Sequence, residues 1–347
     1  MKTTALLMCL GLLPLIAGCS VQRPHGGMRM REAPAVTPDH FRIFDAAGTP
    51  VTMDDIVRAA ADADAVFIGE EHGNPAAHHL ELEILRRLHE ACASAQAPRS
   101  PRDLLLSMEM FERDIQGVVD EYLADLITER HFLKASRPWP AYRSDYRPLI
   151  EFAKTHGVPV VAANAPGRHV NRAARLGRSS LEGLPRASKA WLPPLPYGLP
   201  SDRYREKFKA FWETLRDEGG GHGPVPNRPA EKPAPDEISV RPEAETNPQD
   251  GFERMLDAQA LWDAGMAWSL AEALERRPGA LALHVNGKFH SEYGLGIPEH
   301  LVQYRPGASF VTVTVLSLPV FPDFDPGAAG AGTFIIITDP SLTEGAM

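Results

Sequence analysis

Two histidines occupy matching positions at the ends of two distant apolar stretches. The motif Gly-x-x-His occurs at residues 69–72 and again at residues 287–290. The carboxylates that accompany them are Glu70, Glu71 and Glu109. Imidazole and carboxylate groups that converge form either a site for a hard metal ion or a general acid–base site. The chain therefore carries groups for metal binding or hydrolysis, provided that the fold brings these segments together.

The segments that carry these groups are typical of buried parallel strands. Residues 65–68, 103–108 and 281–285 are short and almost wholly apolar, and polar groups follow each of them. In an α/β sheet, ligands bind at the carboxyl ends of such strands. We therefore predict that His72 and His290 lie close together at neighbouring strand ends, with Glu109 on a third. In a hydrolase, the catalytic groups would be Glu70, His72, Glu109 and His290.

Helical patterns alternate with these strands. Pro75 begins a helix whose apolar face carries Leu80, Ile84 and Leu88 at four-residue spacing. Further strands are predicted at residues 41–44, 158–163, 309–315 and 333–338. The alternation predicts an α/β fold in which helices flank a mostly parallel central sheet. The domain spans residues 41–340, and its Gly-, Pro- and Glu-rich segment 219–248 is predicted to be a disordered insertion.

Some of the histidines have simpler explanations. His72 would also suit a polar strand end that the following loop satisfies. His78 and His79 are adjacent on a helix, so at most one of them is expected to face the sheet edge. His284 lies within an apolar run and is expected to be a hydrogen-bonded core histidine. No Gly-x-Ser-x-Gly nucleophile elbow is present in the sequence.

The first residues resemble a bacterial lipoprotein signal. A charged start and a short apolar core lead to Ile16-Ala17-Gly18-Cys19, which predicts a signal peptide over 1–18 and acylation, for example with palmitate, at Cys19. The alternative is an ordinary cleaved signal with a chance cysteine. Residues 19–40 are predicted to be a flexible tether. Ser20 after the cysteine favours the periplasmic face of the outer membrane.

Charge and cysteine content narrow the range of partners. The net charge of −9 argues against a nucleic-acid surface. With Cys9 in the signal peptide and Cys19 acylated, Cys92 has no partner for a disulfide. It is expected to be a small buried hydrophobe on a helix.

Three motifs in combination resemble the ChaN-type haem-binding uptake lipoproteins of the Tiki superfamily. They are Gly-Glu-Glu-His at 69–72, followed by Asn-Pro and His-His; Met-Glu-Met-Phe-Glu-Arg at 108–113; and Trp-x-x-Tyr-x-x-Asp-Tyr-Arg-Pro-Leu at 139–149. The resemblance spans residues 40–320 and implies a Tiki/erythromycin-esterase-like fold. It also implies a role in iron uptake, with haem held between two protomers, so a homodimer and a haem or siderophore receptor become partners to consider. The insertion, and Lys288 and Phe289 in the second motif, depart from the family pattern.

If haem is the ligand, the resemblance directs attention to tyrosines. Tyr142, Tyr146 and Tyr293 are alternative axial ligands of the haem iron, and each could instead be a half-buried ring with its hydroxyl in water. The cofactor-binding candidates are Tyr142, Arg143, Tyr146, Arg147, Tyr293, His72 and His290. No Cys-x-x-Cys-His motif is present, so haem would be bound non-covalently.

Two functions follow from these observations. The first is a lipid-anchored haem-binding protein for haem or iron uptake at the bacterial envelope. The second is a hydrolase of the same superfamily, an esterase or peptidase that uses a divalent metal or a His/Glu base. A saturable Soret shift on mixing with haemin discriminates between them.

Overall fold

A seven-stranded sheet organises the chain. The computed structural model describes residues 35–94, 101–217 and 248–344. The strands are β1 (Phe41–Asp45), β2 (Ala65–Glu70), β3 (Leu104–Glu112), β4 (Val160–Asn164), β5 (Leu281–Gly287), β6 (Phe310–Ser317) and β7 (Phe334–Thr338). Their order is β1-β7-β6-β2-β5-β3-β4, and only β1 runs antiparallel to its neighbour among the strands described. The mostly parallel α/β fold predicted from the sequence is confirmed.

Helices cover both faces of the sheet. They are α1 (Met53–Ala60), α2 (Pro75–Ala93), α3 (Gln116–Leu123), α4 (Glu129–Ser136), α5 (Arg147–His156), α6 (Gly167–Leu176), α7 (Arg186–Lys189), α8 (Asp202–Asp217), α9 (Pro248–Arg276), α10 (Ile297–Tyr304) and α11 (Ser341–Glu344). Within the described ranges, no helix combines the length and the apolar character needed to cross a membrane.

Some sequence predictions fall outside the described residues. These are the signal peptide 1–18, Cys19, residues 19–34 of the tether and residues 219–247 of the insertion. Within the described ranges, strand positions agree with the apolar runs to within a few residues. The main difference is β3, which continues to Glu112, so Glu109 lies inside the strand rather than after it. The register of β3 against β4 shifts between Met108 and Glu112, and this irregularity lets the strand extend.

Side chains alternate between the two faces of each strand. Val66 and Ile68 of β2 pack in the core beneath α1, α2 and α5, whereas Ala65 and Phe67 pack in the core beneath α9 and α10. We call these the α2 face and the α9 face. The helix α2 begins at Pro75, where the side chain of Asn74 accepts hydrogen bonds from two backbone N–H groups of the first turn. Its predicted apolar stripe is fully buried on the α2 face.

Gly69 is required by a close backbone approach. A Cβ atom at this position would lie 2.8 Å from Lys288 Cα, in the turn that follows β5. The first glycine of the Gly-x-x-His motif therefore lets the turn after β5 pass over the end of β2. This contact draws the two motif-bearing segments together at the carboxyl end of the sheet.

Candidate functional site

The carboxyl ends of β2, β5 and β3 are adjacent, as predicted, but the two predicted histidines belong to different groups of residues, since His72 contacts Glu70 and His290 contacts Asp263 of α9. Glu70 lies opposite Gly287 in the pairing of β2 with β5. The backbone N–H of Gly287 in turn donates a hydrogen bond to Glu109 Oε2 at 2.7 Å. Glu70 contacts residues of α2, and Glu109 contacts His290 beneath α9. The two carboxylates thus lie at one end of the sheet but on opposite faces, because they belong to opposite sets of alternating side chains.

The first group of polar residues lies on the α2 face and is called the Glu70 cluster. Its members are Glu70, His72, His78, Glu81, Asp145 and Tyr146. Glu70 Oε1 accepts a hydrogen bond from the Tyr146 hydroxyl at 2.6 Å and lies 2.5 Å from His72 Nδ1. Glu70 Oε2 lies 3.0 Å from His78 Nδ1. Glu70 is therefore the hub of this cluster.

His78 is surrounded by carboxylates. Its Nδ1 lies 3.4 Å from Glu81 Oε2 as well as 3.0 Å from Glu70 Oε2, and its Nε2 lies 3.3 Å from Asp145 Oδ2. Glu70 and Glu81 are buried, whereas the side chains of His72 and Asp145 are 24% and 16% exposed. The cluster is therefore closed beneath α2 and approachable from the side of His72 and Asp145.

The two buried glutamates of the Glu70 cluster have pKa values shifted in opposite directions. Burial alone would raise the pKa of Glu70, but His78 and hydrogen bonds from His72 and His78 lower it well below its usual value. Burial alone would lower the pKa of His78, but Glu70 and the other carboxylates raise it. Burial and the nearby charge of Glu70 raise the pKa of Glu81. These shifts favour an ionised Glu70 beside a protonated His78, and they favour the protonated form of Glu81.

The second group lies on the α9 face and is called the His290 cluster. Its members are Glu109, Tyr204, Gln259, Asp263 and His290. His290 Nδ1 lies 2.6 Å from Asp263 Oδ1, and its Nε2 lies 3.6 Å from Glu109 Oε1. Burial alone would lower the pKa of His290, but Glu109 and Asp263 raise it. The imidazole is held between two carboxylates, with 1% of its surface exposed.

Glu71 and Lys288 connect the strand ends. Glu71 Oε1 pairs with Lys288 Nζ, and Glu71 Oε2 accepts a hydrogen bond from the backbone of Ser317 at the end of β6. Phe289 packs against the rings of Tyr204 and Phe211. Lys288 thus connects the turn after β5 to the end of β2, and Phe289 connects the same turn to the helix α8.

The three candidate tyrosines lie in different environments. Tyr142 and Tyr146 are fully buried, whereas Tyr293 is 39% exposed. Tyr142 packs against Phe111 and Phe132, and Tyr146 donates its hydroxyl proton to Glu70. Burial raises the pKa of Tyr142, and burial together with Glu70 raises that of Tyr146. Both therefore resist becoming phenolates.

The remaining sequence candidates are also placed. Arg143 is exposed, and Arg147 donates to Glu129 at 2.6 Å. His284 is a core histidine, as expected; its Nδ1 lies 2.8 Å from the Ser107 hydroxyl, and burial lowers its pKa to about 3. His79 is exposed while His78 is buried, so only one of this pair faces the sheet.

Sequence reasoning missed several members of both clusters. Glu81 follows His78 by three residues on the apolar stripe of α2, so a carboxylate at that position was a detectable signal. Gln259 and Asp263 are spaced by four and are the polar residues of the apolar stretch 258–268 in α9, which places them on one face of that helix. Asp145 comes from a loop, and the sequence pattern gives no signal for its position.

A cavity of about 710 Å³ lies at the opposite end of the sheet, near the amino ends of β3, β4 and β5. It is lined by His89, Cys92, Arg102, His156 and Arg277 among others. Ala93 and Pro101, which also line it, flank residues 95–100 outside the described ranges. The cavity therefore does not define a ligand site. Cys92 is buried beside it, in agreement with its expected role as a small hydrophobe.

Haem would require an axial donor that solvent can reach, and the three tyrosines differ in how accessible their hydroxyl groups are. The iron of a haem that binds from solvent cannot reach the hydroxyl of Tyr142 or Tyr146 unless the core opens. Tyr293 lies in the turn after β5, in a left-handed conformation with φ 62°, and its backbone N–H donates to Ala331 at 2.7 Å. Its exposed phenol fits the role of an axial oxygen donor. His72, with a half-buried imidazole, is the accessible member of the two candidate histidines.

Comparison with known proteins identifies the family to which the sequence is similar. Residues 56–301 match the family described as haem-binding uptake, Tiki superfamily, ChaN. The fold is similar to a solved structure described as "Cofacial heme binding to ChaN of Campylobacter jejuni", with a TM-score of 0.60 and 14% identity over 87% of this chain and 98% of that chain.

A weaker likeness is to the type III effector HopBA1, with a TM-score of 0.42 and 12% identity over 83% of this chain and 93% of that chain. No curated protein matches the sequence.

Proposed function

Since the chain belongs to the ChaN family of haem-binding uptake proteins in the Tiki superfamily, we propose that it binds haem non-covalently and acts in haem or iron uptake. The observation that carries the proposal is the family match over residues 56–301, which includes both Gly-x-x-His motifs and Tyr293. Tyr293 would hold the haem iron through its phenol oxygen. An oxygen ligand of this kind favours ferric iron, which suits carriage rather than catalysis.

The position of Tyr293 supports binding on a surface rather than in a closed slot. Its ring is partly exposed, and the backbone of the same turn is fixed by the hydrogen bond to Ala331. Lys288 lies five residues earlier with 34% of its side chain exposed, and a haem propionate would compete with Glu71 for its ammonium group. A haem on an open surface leaves one face uncovered, which a second copy of the chain with its own haem would cover. This is the reason to propose a homodimer.

Haemin titration of the full chain tests the proposal. Wild-type protein should give a saturable Soret shift, and Tyr293→Phe should move the Soret band and weaken affinity by about tenfold or more. Tyr142→Phe is the matched control, because its hydroxyl is buried away from solvent and should leave the spectrum unchanged. A wild-type chain with no saturable Soret shift, or a Tyr293→Phe variant with an unaltered spectrum and affinity, would contradict the proposal.

We also propose that the protein is anchored by lipid at Cys19 to the bacterial envelope, on the periplasmic face of the outer membrane. The lipobox-like sequence 16–19 supports this placement. A haem or siderophore receptor in that membrane is the corresponding upstream partner.

Cys19→Ser should move the protein from the membrane fraction to the soluble fraction and abolish palmitate labelling. Cys9→Ser, a cysteine within the signal peptide, is the control and should remain membrane-bound. Membrane retention of unlabelled Cys19→Ser at the wild-type level would contradict the anchor.

Hydrolysis is the second candidate function, and one observation favours it. The pair of His290 and Asp263, 2.6 Å apart, resembles a general base oriented by a carboxylate. His290 and Glu109 are each only 1% exposed, however, so a substrate reaches them only if α9 or the turn after β5 moves. Esterase or peptidase turnover that is lost in His290→Gln, together with haem spectra untouched by Tyr293→Phe, would favour this alternative.

A further inference from the structure

We propose that Glu70, His78 and Glu81 form a binding site for one divalent first-row transition ion, independent of haem. One nitrogen or oxygen atom of each residue lies within 4.8 Å of the corresponding atoms of the other two. All three residues are buried. A mixed imidazole and carboxylate ligand set suits ions such as Mn²⁺, Fe²⁺ and Zn²⁺.

The distances between the donor atoms fit a coordination sphere. Both carboxylates approach the same atom, His78 Nδ1, at 3.0 Å from Glu70 Oε2 and 3.4 Å from Glu81 Oε2. Ligands that bind a metal at about 2.0–2.2 Å are separated from one another by about 3–3.5 Å along the edges of the polyhedron. The two distances from His78 Nδ1 to the carboxylate oxygens therefore already match the spacing of adjacent ligands.

Among the described residues, buried Glu81 Oε1 has no hydrogen bond, and buried Glu70 Oε2 has the ion pair with His78 Nδ1 at 3.0 Å but no hydrogen bond of good geometry. Buried polar atoms normally have a partner, and each such exception requires an explanation. A cation between Glu70, His78 and Glu81 would give Glu70 Oε2 a further partner, and it would also satisfy Glu81 Oε1 if that carboxylate bound through both oxygens.

The surrounding residues hold the three ligands in orientation. His78 Nε2 points to Asp145 Oδ2 at 3.3 Å, so a carboxylate can fix the ring while Nδ1 binds the ion. Tyr146 and His72 both contact Glu70 Oε1, which leaves Oε2 for the ion. The partly exposed side chains of Asp145 and His72 lie on the open side of the cluster and give a cation a polar path inward.

Equilibrium dialysis of the full chain against Mn²⁺ and, separately, Zn²⁺ tests the proposal. We expect the wild-type chain to bind one more ion than Glu81→Gln, with affinity at this site lowered by about 100-fold or more in the variant. Glu90→Gln is the matched control, since it makes the same change at an exposed position of the same helix and should bind like the wild type. Asp145→Asn should weaken binding less, by about 10- to 100-fold, because it orients a ligand without touching the ion.

Two further measurements separate loss of the site from loss of the fold. Circular dichroism should show that Glu81→Gln folds like the wild type. The metal should raise the melting temperature of the wild type and of Glu90→Gln, but not that of Glu81→Gln. X-ray absorption of the Zn²⁺-loaded chain should show nitrogen and oxygen ligands with one or more imidazoles. Equal binding by wild type and Glu81→Gln, or no binding of either ion by the wild type, would overturn the proposal.

Discussion

The Glu70 cluster and the His290 cluster contain similar parts in different arrangements. Each has a buried histidine in contact with two buried carboxylates at the carboxyl end of the same sheet. In the Glu70 cluster, both carboxylates approach the same nitrogen, His78 Nδ1. In the His290 cluster, Asp263 approaches Nδ1 and Glu109 approaches Nε2. The first pair converges on one point, and the second pair brackets the ring.

The difference decides what each cluster can do. Converging carboxylates repel each other unless a proton or a cation lies between them, so the Glu70 cluster suits ion binding. Carboxylates on opposite sides of an imidazole do not converge on one point, and both favour the protonated ring. The His290 cluster joins β3, β5 and α9, with a close contact from Nδ1 to Asp263 and a longer one from Nε2 to Glu109.

His284 shows how a histidine behaves in the same sheet beside a hydroxyl instead of a carboxylate. It lies between the strands β2 and β3 and contacts the Ser107 hydroxyl. Burial, together with the charge of His290, lowers its pKa to about 3, whereas carboxylates raise the pKa of His78 and His290. The neighbouring carboxylate, rather than burial, sets the sign of the shift.

Removing Asp263, one of the two carboxylates that flank His290, should have the largest effect on stability. Asp263→Ala leaves His290 buried without its closest carboxylate, and we expect a loss of about 3–5 kcal/mol in the free energy of unfolding. Guanidinium denaturation at pH 7 measures it. Asp250→Ala, at an exposed position of the same helix, should change stability by less than about 0.5 kcal/mol. A small effect of Asp263→Ala would show that the bracket does not stabilise the fold.

Tyr146 should contribute more than Tyr142, although both rings are buried in one loop. Tyr146→Phe removes the hydrogen bond to ionised Glu70, which is expected to cost about 1.5–3 kcal/mol. The Tyr142 hydroxyl has no hydrogen-bond partner among the described residues, so Tyr142→Phe should be neutral or slightly stabilising. Thermal and chemical denaturation of the two variants compare them directly. Equal losses would indicate that ring packing rather than the Glu70 contact dominates.

The lowered pKa of His284 should make the folded chain less stable in acid. Its folded pKa of about 3 lies below its value of 6.5 in the unfolded chain, so the unfolded chain binds a proton first as the pH falls. The free energy of unfolding then falls by about 1.4 kcal/mol per pH unit below 6.5, which amounts to about 2 kcal/mol at pH 5. His284→Gln removes this loss, so wild type and variant should differ by about that amount more at pH 7 than at pH 5. The opposite contribution of His290 is present in both proteins and cancels. A difference independent of pH would show that folding does not lower the pKa of His284.

The smallest effect is expected for Glu81→Gln in the absence of metal. Burial and the charge of Glu70 raise the pKa of Glu81 and so favour its uncharged form, and an uncharged side chain of the same shape should therefore change the free energy of unfolding by less than about 1 kcal/mol. Denaturation in the presence of a chelator measures this value. A loss above about 2 kcal/mol would mean that Glu81 is ionised without a cation, and the contrast between converging and bracketing carboxylates would then fail.

The sequence by itself determined the strands, the helices that alternate with them and the end of the sheet at which the polar groups collect. Apolar runs and their polar ends are local features, and parallel strands align their carboxyl ends whatever the remaining packing is. The motifs at 69–72 and 287–290 predicted that β2 and β5 are neighbours with the end of β3 nearby, and the structure adds that β5 pairs directly with β3.

Only the tertiary structure decided which of these groups meet. Glu70 and Glu109 are separated because alternate residues of neighbouring strands point to opposite faces, and the register of pairing fixes which residue takes which face. Asp145 and Asp263 reach the clusters from a loop and a helix whose docking depends on packing across the whole core. The sequence distinguished a candidate edge, but the convergence of two carboxylates on His78 and the bracketing of His290 arise from non-local contacts that no local pattern encodes.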